Sequence, residues 1–393
     1  MSNKKQNKNQ KNLINSEVIV KATILVVFTL LLAVAVFLIN KDRPRYTATD
    51  STGVEYEKAV VLDVIQDNSA VDETTENVLR GSTELSVKIL TGRYKGNVEN
   101  VTNYFSALYN VDLKKGDTFC IRIDTMDDGA YNCSVYNYNR VPLIIGLVVV
   151  FFAALAIIGG FQGVKAFVGL IYTVLCIFGI ILPLALKGVP TIPLTCGIIL
   201  ITSMVCFYLI GGISKKTLSA ALGCFMGVII AAILAHVAAA IGGISIFQTD
   251  EAEALLLLKS NTSIQLRGLF ISGILIGSMG AVMDIAMSIA SALEEVHTLN
   301  PNRNMKELFT SGINIGRDAM GTMANTLVLA YVGSALNMCI LIYSYGIGWR
   351  QLLCTDFVVI EVIRAIAGSI GIICCVPLVS AISAFLYTKN STK

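Results

Sequence analysis

The feature that most constrains this chain is a series of long, nearly uncharged apolar runs separated by short polar gaps. A helix of about 20 apolar residues is long enough to cross the hydrocarbon core of a bilayer. One such run covers residues 22–39, before a long polar stretch. The later candidate spans are residues 142–158, 166–186, 191–210, 218–241, 266–293, 319–343 and 356–386. The pattern therefore predicts a membrane all-α bundle of about eight transmembrane helices.

Composition supports this class and argues against several others. Charged residues make up 15% of the chain, whereas roughly a quarter is usual in soluble domains. No basic patch is interleaved with aromatic residues, so nucleic acid is not a predicted partner. The ten cysteines lack metal-ligand spacing, and no Walker A loop, H-E-x-x-H, G-x-S-x-G or zinc-binding pattern is present. We therefore predict no metal, no cofactor and no catalytic residue, and an enzyme is not the favoured class.

Residues 41–140 have a different pattern, in which apolar and polar residues alternate along short segments. Alternation with a period of two is typical of a strand buried on one face. Five or six such segments, separated by glycine-containing turns, predict a small antiparallel β-barrel-like domain. The expected core residues are Val87, Ile89, Phe119 and Ile121.

Two cysteines of this domain, Cys120 and Cys133, flank the turn at residues 127–129 almost symmetrically. They would oppose each other in one hairpin if the register were symmetric, and a disulfide could then form outside the cytoplasm. A slip of one residue would turn one side chain to the other face. A bridge and two reduced cysteines therefore both remain open.

Lysine and arginine positions predict how the chain is oriented. They are more frequent in the N-terminal tail and in alternate short connections than in the remaining short connections. Cytoplasmic segments carry such an excess, so both termini are expected inside, with residues 46–140 and 242–265 outside and 294–316 inside. The run at 22–39 lacks a cleavage pattern after it, which favours an uncleaved anchor over a signal peptide. The predicted parts are a basic cytoplasmic tail (1–21), a transmembrane anchor (22–40), an extracytoplasmic β domain (41–140), a seven-helix transmembrane domain (141–388) and a cytoplasmic tail (389–393).

Two segments of the helical half have distinctive sequences. They are GSMGAVMDIAMSIAS at 277–291 and SGINIGRDAMGTMANTLVLAY at 311–331. Together they resemble the YibE/YibF-like family of bacterial multipass membrane proteins. The resemblance extends over most of residues 57–387, including the β-rich domain. It implies a bacterial source and a location in the cell membrane, and it implies no particular activity.

Asp284 is the ionisable residue that most needs a physical reason. A charge inside hydrocarbon costs several kcal/mol unless it is paired or solvated. Helical spacing places Gly277, Gly280 and Ser288 on the same face as Asp284. Close helix packing around a hydrogen-bonding anchor would explain this face, and so would a proton or cation site. In either case we expect Asp284 to face the interior of the bundle.

Other polar residues complete the predicted site. On antiparallel neighbouring helices, Asp284 and Asn325 would lie at the same depth. Glu361 and Arg364 are three residues apart on the last span, which favours a self-neutralising ion pair, with a polar pathway as the alternative. The predicted transport or polar site consists of Asp284, Ser288, Arg317, Asp318, Thr322, Asn325, Glu361 and Arg364.

These observations favour a transport-class protein for a small solute or ion, coupled to protons through Asp284. The alternative is a membrane scaffold that does not transport and presents the β domain to partners in the cell envelope. Membrane lipid is an expected partner in both cases. The spacing of Gly273 and Gly277 is also compatible with a homo-oligomer or a partner membrane protein.

Overall fold

The computed structural model describes residues 29–30, 32–41, 53–74, 78–106, 109–126, 129–243 and 262–388. The two predicted tails, the first residues of the anchor and most of the predicted outer segment 242–265 lie outside these described residues. The chain divides into two compact units, one of residues 47–154 and one that combines residues 1–46 with 155–393.

The first of these units contains a six-stranded antiparallel sheet. Its strand order is β2-β3-β1-β5-β6, and β4 pairs with the other part of β3. The strands are β1 (Gly53–Asp67), β2 (Ala70–Asp72), β3 (Val78–Ile89), β4 (Val98–Phe105), β5 (Thr118–Thr125) and β6 (Tyr131–Tyr138).

One face of this sheet forms the core of the β domain. Alternate residues of β3, β4 and β5 are buried, as expected for strands that are covered on one face. The four predicted core residues, Val87, Ile89, Phe119 and Ile121, are all fully buried. The prediction of their inward direction is therefore confirmed.

The sheet is a curled half-barrel, which corrects the expectation of a barrel-like closure. Strands β4 and β6 form no hydrogen-bonded ladder in the described part of the domain. Side chains bridge them instead: the Tyr131 hydroxyl donates to Glu99 and accepts from Asn97 at 2.8 Å. The ring centroids of Tyr94 and Tyr131 are 4.2 Å apart. Aromatic and polar contacts thus hold together two edges that strand pairing leaves open.

The register of β5 and β6 decides the question of the disulfide. Cys120 lies opposite Asn137, whereas Cys133 lies opposite Ile123, with a β-bulge between Cys120 and the next residue. Cys133 packs against the domain core, while Cys120 points to the other face of β5. Both cysteines are free thiols. The register set at the turn already pairs Cys133 with a residue three positions from Cys120, so the symmetric hairpin considered from the sequence does not form.

The rest of the described chain is helical. Residues 32–40 form a helix within the predicted anchor. A π-helical turn, Ile177–Ile181, joins the first two helices that follow the β domain. The helices are α1 (Val141–Cys176), α2 (Leu182–Leu186), α3 (Thr191–Gly211), α4 (Lys215–Ile241), α5 (Leu266–Leu299), α6 (Met305–Ser334), α7 (Leu336–Ser344), α8 (Trp349–Leu353) and α9 (Asp356–Thr388).

Within the described residues, five helical runs are long and apolar enough to cross a membrane, or six if α6 and α7 form one broken span. The run from Val141 to Leu186 counts as one, but its backbone is broken at Gly160, where φ is 53° and ψ is −138°. This left-handed conformation suits glycine. The break lies between the predicted spans 142–158 and 166–186. The count of eight spans stays a prediction.

The predicted span 319–343 is broken in the structure. Helix α6 starts at Met305, well before residue 319, and ends at Ser334. Helix α7 then leaves at an angle of 60°. Both segments are apolar around Ala335, so hydropathy gave no sign of the bend.

The core of the helical part is built around α5. Bulky residues of α5, such as Ile274, Ile285 and Ile289, are fully buried. They pack among small residues of α4 and α9, whose backbones come very close together. A Cβ atom added to Gly227 of α4 would lie 3.0 Å from the carbonyl oxygen of Gly371 of α9. Large side chains from α5 therefore fill a space lined by alanine, glycine and cysteine.

Candidate functional site

Asp284 lies on the side of α5 that faces away from this core. Its exposed neighbours along the helix are Gly273, Gly277, Gly280 and Ser288, and the buried residues of α5 occupy the opposite side. No described residue forms an ion pair or a hydrogen bond with the Asp284 carboxylate. The expectation that Asp284 faces the bundle interior is therefore wrong for the described part of the chain. The bulky face of α5 packs in the core because the neighbouring helices α4 and α9 supply the small residues that it packs against.

Helix α6 is also two-faced. Gly312, Gly316 and Leu327 are buried against α5 and α9. The predicted site residues of this helix are all on the exposed side, namely Arg317, Asp318, Thr322 and Asn325. Among the described residues, Arg317 and Asp318 form no ion pair. The Thr322 hydroxyl donates to the Ala319 carbonyl of its own helix at 3.0 Å.

Close contacts fix how α5 and α6 lie side by side. Gly312 lies against Leu293 and Gly316 against Ile289, while Tyr331 of α6 reaches Gly277 of α5. The two helices are therefore antiparallel, and Asp284 is level with residues 321–324. This register agrees with the depth match expected between Asp284 and the turn that carries Thr322 and Asn325.

The same contacts show which predicted residues come together. Helical geometry places Asp284 and Ser288 on the edge of α5 next to α6, and Thr322 on the facing edge of α6. These three residues border what we call the α5–α6 groove. Asp318 and Asn325 lie farther round the exposed side of α6. Arg317 lies on the edge towards α9 and takes no part in the groove.

A second polar cluster contains Glu361 and Arg364 of α9. Arg364 donates to Glu361 at 2.7 Å, and the two side chains are 30% and 17% exposed. The predicted ion pair is thus present. The Arg364 guanidinium also lies 5.9 Å from the ring of Phe270 and 5.8 Å from the ring of Tyr331, within the range of cation–π contacts.

Sequence reasoning missed both aromatic residues of this cluster. Tyr331 stands at the end of the distinctive segment 311–331, and that position is the sequence signal that marks it. Phe270 looks like any other apolar residue of a span, and no sequence signal marks it. Gly277, which touches Tyr331, is about 10 Å along α5 from Asp284. The cluster and the α5–α6 groove are therefore separate positions.

Two residues of the cluster, Tyr331 and Glu361, also line an apolar crevice between α6 and α9, which we call the α6–α9 crevice. It has a volume of about 340 Å³. Two buried polar atoms of the cluster, the Tyr331 hydroxyl and Glu361 Oε2, have no hydrogen-bond partner among the described residues. A search of the described residues finds no group of three histidine, cysteine, aspartate or glutamate side chains that could hold a metal ion.

The β domain carries a crevice of its own, with a volume of about 400 Å³. It lies between strands β1, β5 and β6 and the first residues of α1. Tyr56, Tyr136 and Tyr138 line it together with Arg140, and the rings of Tyr56 and Tyr136 meet edge to face at 4.7 Å. Aromatic rings beside a cation form a surface that can take part in recognition.

Long apolar helices, packed through glycines and carrying few buried charges, are typical of a multipass membrane protein. Comparison with known families agrees, since the profile of the YibE/F-like protein family matches residues 147–389. The chain belongs to this family. The match covers the helical part and leaves out the β domain, to which the sequence resemblance was expected to extend. No curated protein and no solved structure matches the chain.

Proposed function

We propose that this protein is a transport-class membrane protein that conducts a proton or a small cation along the α5–α6 groove. The observation that carries the proposal is the Asp284 carboxylate, which has no neutralising partner among the described residues. An ionised carboxylate is not tolerated in hydrocarbon without a partner. Asp284 must therefore be protonated, or meet water or another protein surface at this depth.

The groove offers suitable chemistry for a cation. Asp284 supplies a negative charge, and the hydroxyls of Ser288 and Thr322 border the same groove. Oxygen atoms of this kind are the ligands that hard cations prefer. Gly280, one turn before Asp284 on α5, leaves space beside the carboxylate, because a Cβ added there would meet no atom within 4 Å. The proposal places the chain in the cell membrane with both termini in the cytoplasm.

Reconstitution of the full chain into liposomes tests the proposal. An imposed membrane potential drives cations inward, and enclosed dyes report proton and sodium entry separately. Wild-type vesicles are expected to take up one of these ions faster than protein-free vesicles. Asp284→Asn removes the charge and keeps the shape, so uptake should fall to the protein-free rate. Asp112→Asn in the β domain is the matched control, because Asp112 is exposed and far from α5 in sequence.

Two results would contradict the proposal. If wild-type vesicles take up neither ion faster than protein-free vesicles, the chain conducts neither of them. If Asp284→Asn conducts like the wild type, the groove is not the path. Thermal unfolding of each variant separates loss of function from loss of fold.

A scaffold that does not transport remains the second candidate, and the crevice of the β domain favours it. Three tyrosines and Arg140 form a surface suited to a partner in the cell envelope. A scaffold would be indifferent to Asp284→Asn in the flux assay. It would lose its partner when Tyr136 and Arg140 are both replaced by alanine, and a transporter would keep its flux.

A further inference from the structure

Helix α6 has an outward face, directed away from α5 and α9, which are the described helices that it mainly packs against. Successive members of this face are three or four residues apart, so they form one stripe along the helix. All of them are exposed among the described residues: Asn314, Asp318, Gly321, Asn325 and Leu329. Four of these five residues are polar or glycine, which is unusual for a helix surface that would meet lipid.

The polar side chains of the outward face have no partners within the described part of the chain. Asp318 and the neighbouring Arg317 form no ion pair there, and the Asn325 amide forms no hydrogen bond. These residues lie near the depth of Asp284, in a helix that is long and apolar enough to cross a membrane together with α7. Charges and amides without partners are unfavourable in hydrocarbon. A protein surface with matching polar groups therefore covers this face better than lipid chains do.

The charges of the outward face match a second copy of the same face. Arg317 and Asp318 are adjacent, so they differ in depth by only about 1.5 Å. A two-fold axis along the membrane normal brings residues of equal depth together and makes every contact reciprocal. If two α6 helices pair in parallel, Asp318 lies in the seam and Arg317 flanks it, as in the a and g positions of a heptad. Each Asp318 then meets Arg317 of the second copy.

We propose that two copies of this chain pair through the outward face of α6, with Arg317 and Asp318 exchanging ion pairs across the two-fold axis. Asn325 is one heptad after Asp318, so its amide lies in the same seam and can bond to the Asn325 amide of the second copy. Helices paired in this way are about 8–10 Å apart, which leaves room for alanine at Gly321. The pairing thus depends on charges and amides. It is distinct from the α5–α6 groove and goes beyond the function proposed for it.

Co-purification of two differently tagged copies of the full chain from membranes in a mild detergent tests the pairing. Wild-type copies should co-purify. Arg317→Asp leaves two acidic residues in the seam of each copy, and Asp318→Arg leaves two basic residues. Each variant should co-purify with itself about tenfold less than the wild type, because like charges meet. The acidic variant expressed together with the basic variant should recover the wild-type yield, since opposite charges then face each other.

Lys95→Asp is the matched control, because it makes the same change of charge at an exposed position of the β domain. Its yield should equal that of the wild type. Asn325→Leu gives α6 a side chain that suits lipid, and its yield should fall about threefold through the loss of a hydrogen bond between helices. Asp284→Asn should pair normally, so failure of the proposed transport function and failure of the pairing can be told apart.

Three results would overturn the proposal. If wild-type copies do not co-purify, lipid or a different protein covers the outward face of α6. If Arg317→Asp co-purifies with itself like the wild type, any contact between copies lies elsewhere. If both single variants are weakened and the mixed pair does not recover, the two charges act within one copy. Recovery by the mixed pair would also show that both variants are folded.

Discussion

Cys133 is partly buried against the core of the β domain, and its position determines its reactivity. Burial raises the pKa of this thiol to about 11, and nearby Glu99 and Asp124 add to the shift. Burial also raises the pKa of Cys120, with a further contribution from Glu57. The thiolate is the form that reacts with alkylating reagents, and both cysteines hold little of it near neutral pH.

We therefore predict a characteristic pH dependence for the alkylation of Cys133. Below its pKa the thiol is protonated, so at pH 8 only about one molecule in a thousand carries the thiolate. The labelling rate should rise about tenfold per pH unit from pH 8 to pH 10, whereas a free small thiol levels off at about pH 9. Mass spectrometry of peptides from the full chain, labelled with iodoacetamide for fixed times, measures this rate.

The same experiment tests the absence of a bridge. Without any reducing agent, the peptides containing Cys120 and Cys133 should both be alkylated after the chain is unfolded. A crosslinked pair of peptides that appears only in unreduced samples would show that the two strands can shift their register in solution. A plateau of the Cys133 rate near pH 9 would show that its side chain is solvated.

Helix α6 shows at the scale of an element how two glycines of one helix can have opposite roles. Gly316 lies against Val376 and Ile289, and a Cβ there would collide with Val376. Gly321 lies on the exposed side of the helix, and a Cβ there would meet no atom within 4 Å. The first glycine permits close packing, and the second only lowers the stability of the helix.

Alanine substitutions at these positions should therefore have opposite effects. Gly316→Ala is expected to destabilise the protein by about 1–3 kcal/mol through overpacking. Gly321→Ala is expected to be neutral or to stabilise it by up to about 1 kcal/mol, because alanine favours the helix. Thermal unfolding of the purified chain in one detergent compares the two variants directly. If Gly321→Ala lowered the stability as much as Gly316→Ala, a second protein surface would have to pack on the exposed side of α6.

These elements also show what the sequence could and could not predict. In β3 and β5 the alternation of apolar and polar residues determines which side chains point inward. A strand covered on one face must put Val87 and Phe119 on the buried face. In α5 hydrophobicity cannot separate lipid from core, since both environments are apolar. The small face was expected to pack, but the bulky face packs into small residues of α4 and α9. The predicted direction of the Asp284 side chain was wrong for this reason, although its predicted depth agrees with the observed register of α5 and α6.

The Glu361–Arg364 pair was predictable because its spacing depends on one helix alone. The aromatic neighbours of Arg364 come from two other helices, and one sequence contains no signal for such contacts. The break at Gly160 and the bend at Ala335 were also missed as backbone features. Local periodicity therefore predicts elements and faces, whereas contacts between helices depend on which surfaces fit together.

At the scale of the whole helical part, contacts bring several connections to one end. Lys216 at the start of α4 forms an ion pair with Glu294 near the end of α5, at 2.7 Å. Lys215 lies 5.6 Å from the ring of Tyr387, near the end of α9. The α3–α4 connection, the α5–α6 connection and the end of α9 therefore share one side. Arg303 and Lys306 add further positive charge to the α5–α6 connection.

This grouping makes the predicted topology testable as a unit. An end with so many lysines and arginines is expected in the cytoplasm. We predict that Asn302→Cys, in the α5–α6 connection, reacts with a membrane-impermeant maleimide only after the cells are permeabilised. The native Cys354 is exposed just before α9, at the opposite end of that helix from Tyr387, and should react in intact cells. Lys95→Cys in the β domain is expected to behave like Cys354. Peptide mass spectrometry measures the labelling of all three positions in one sample. Labelling of Asn302→Cys in intact cells, without labelling of Cys354, would show that the topology is the reverse of the predicted one.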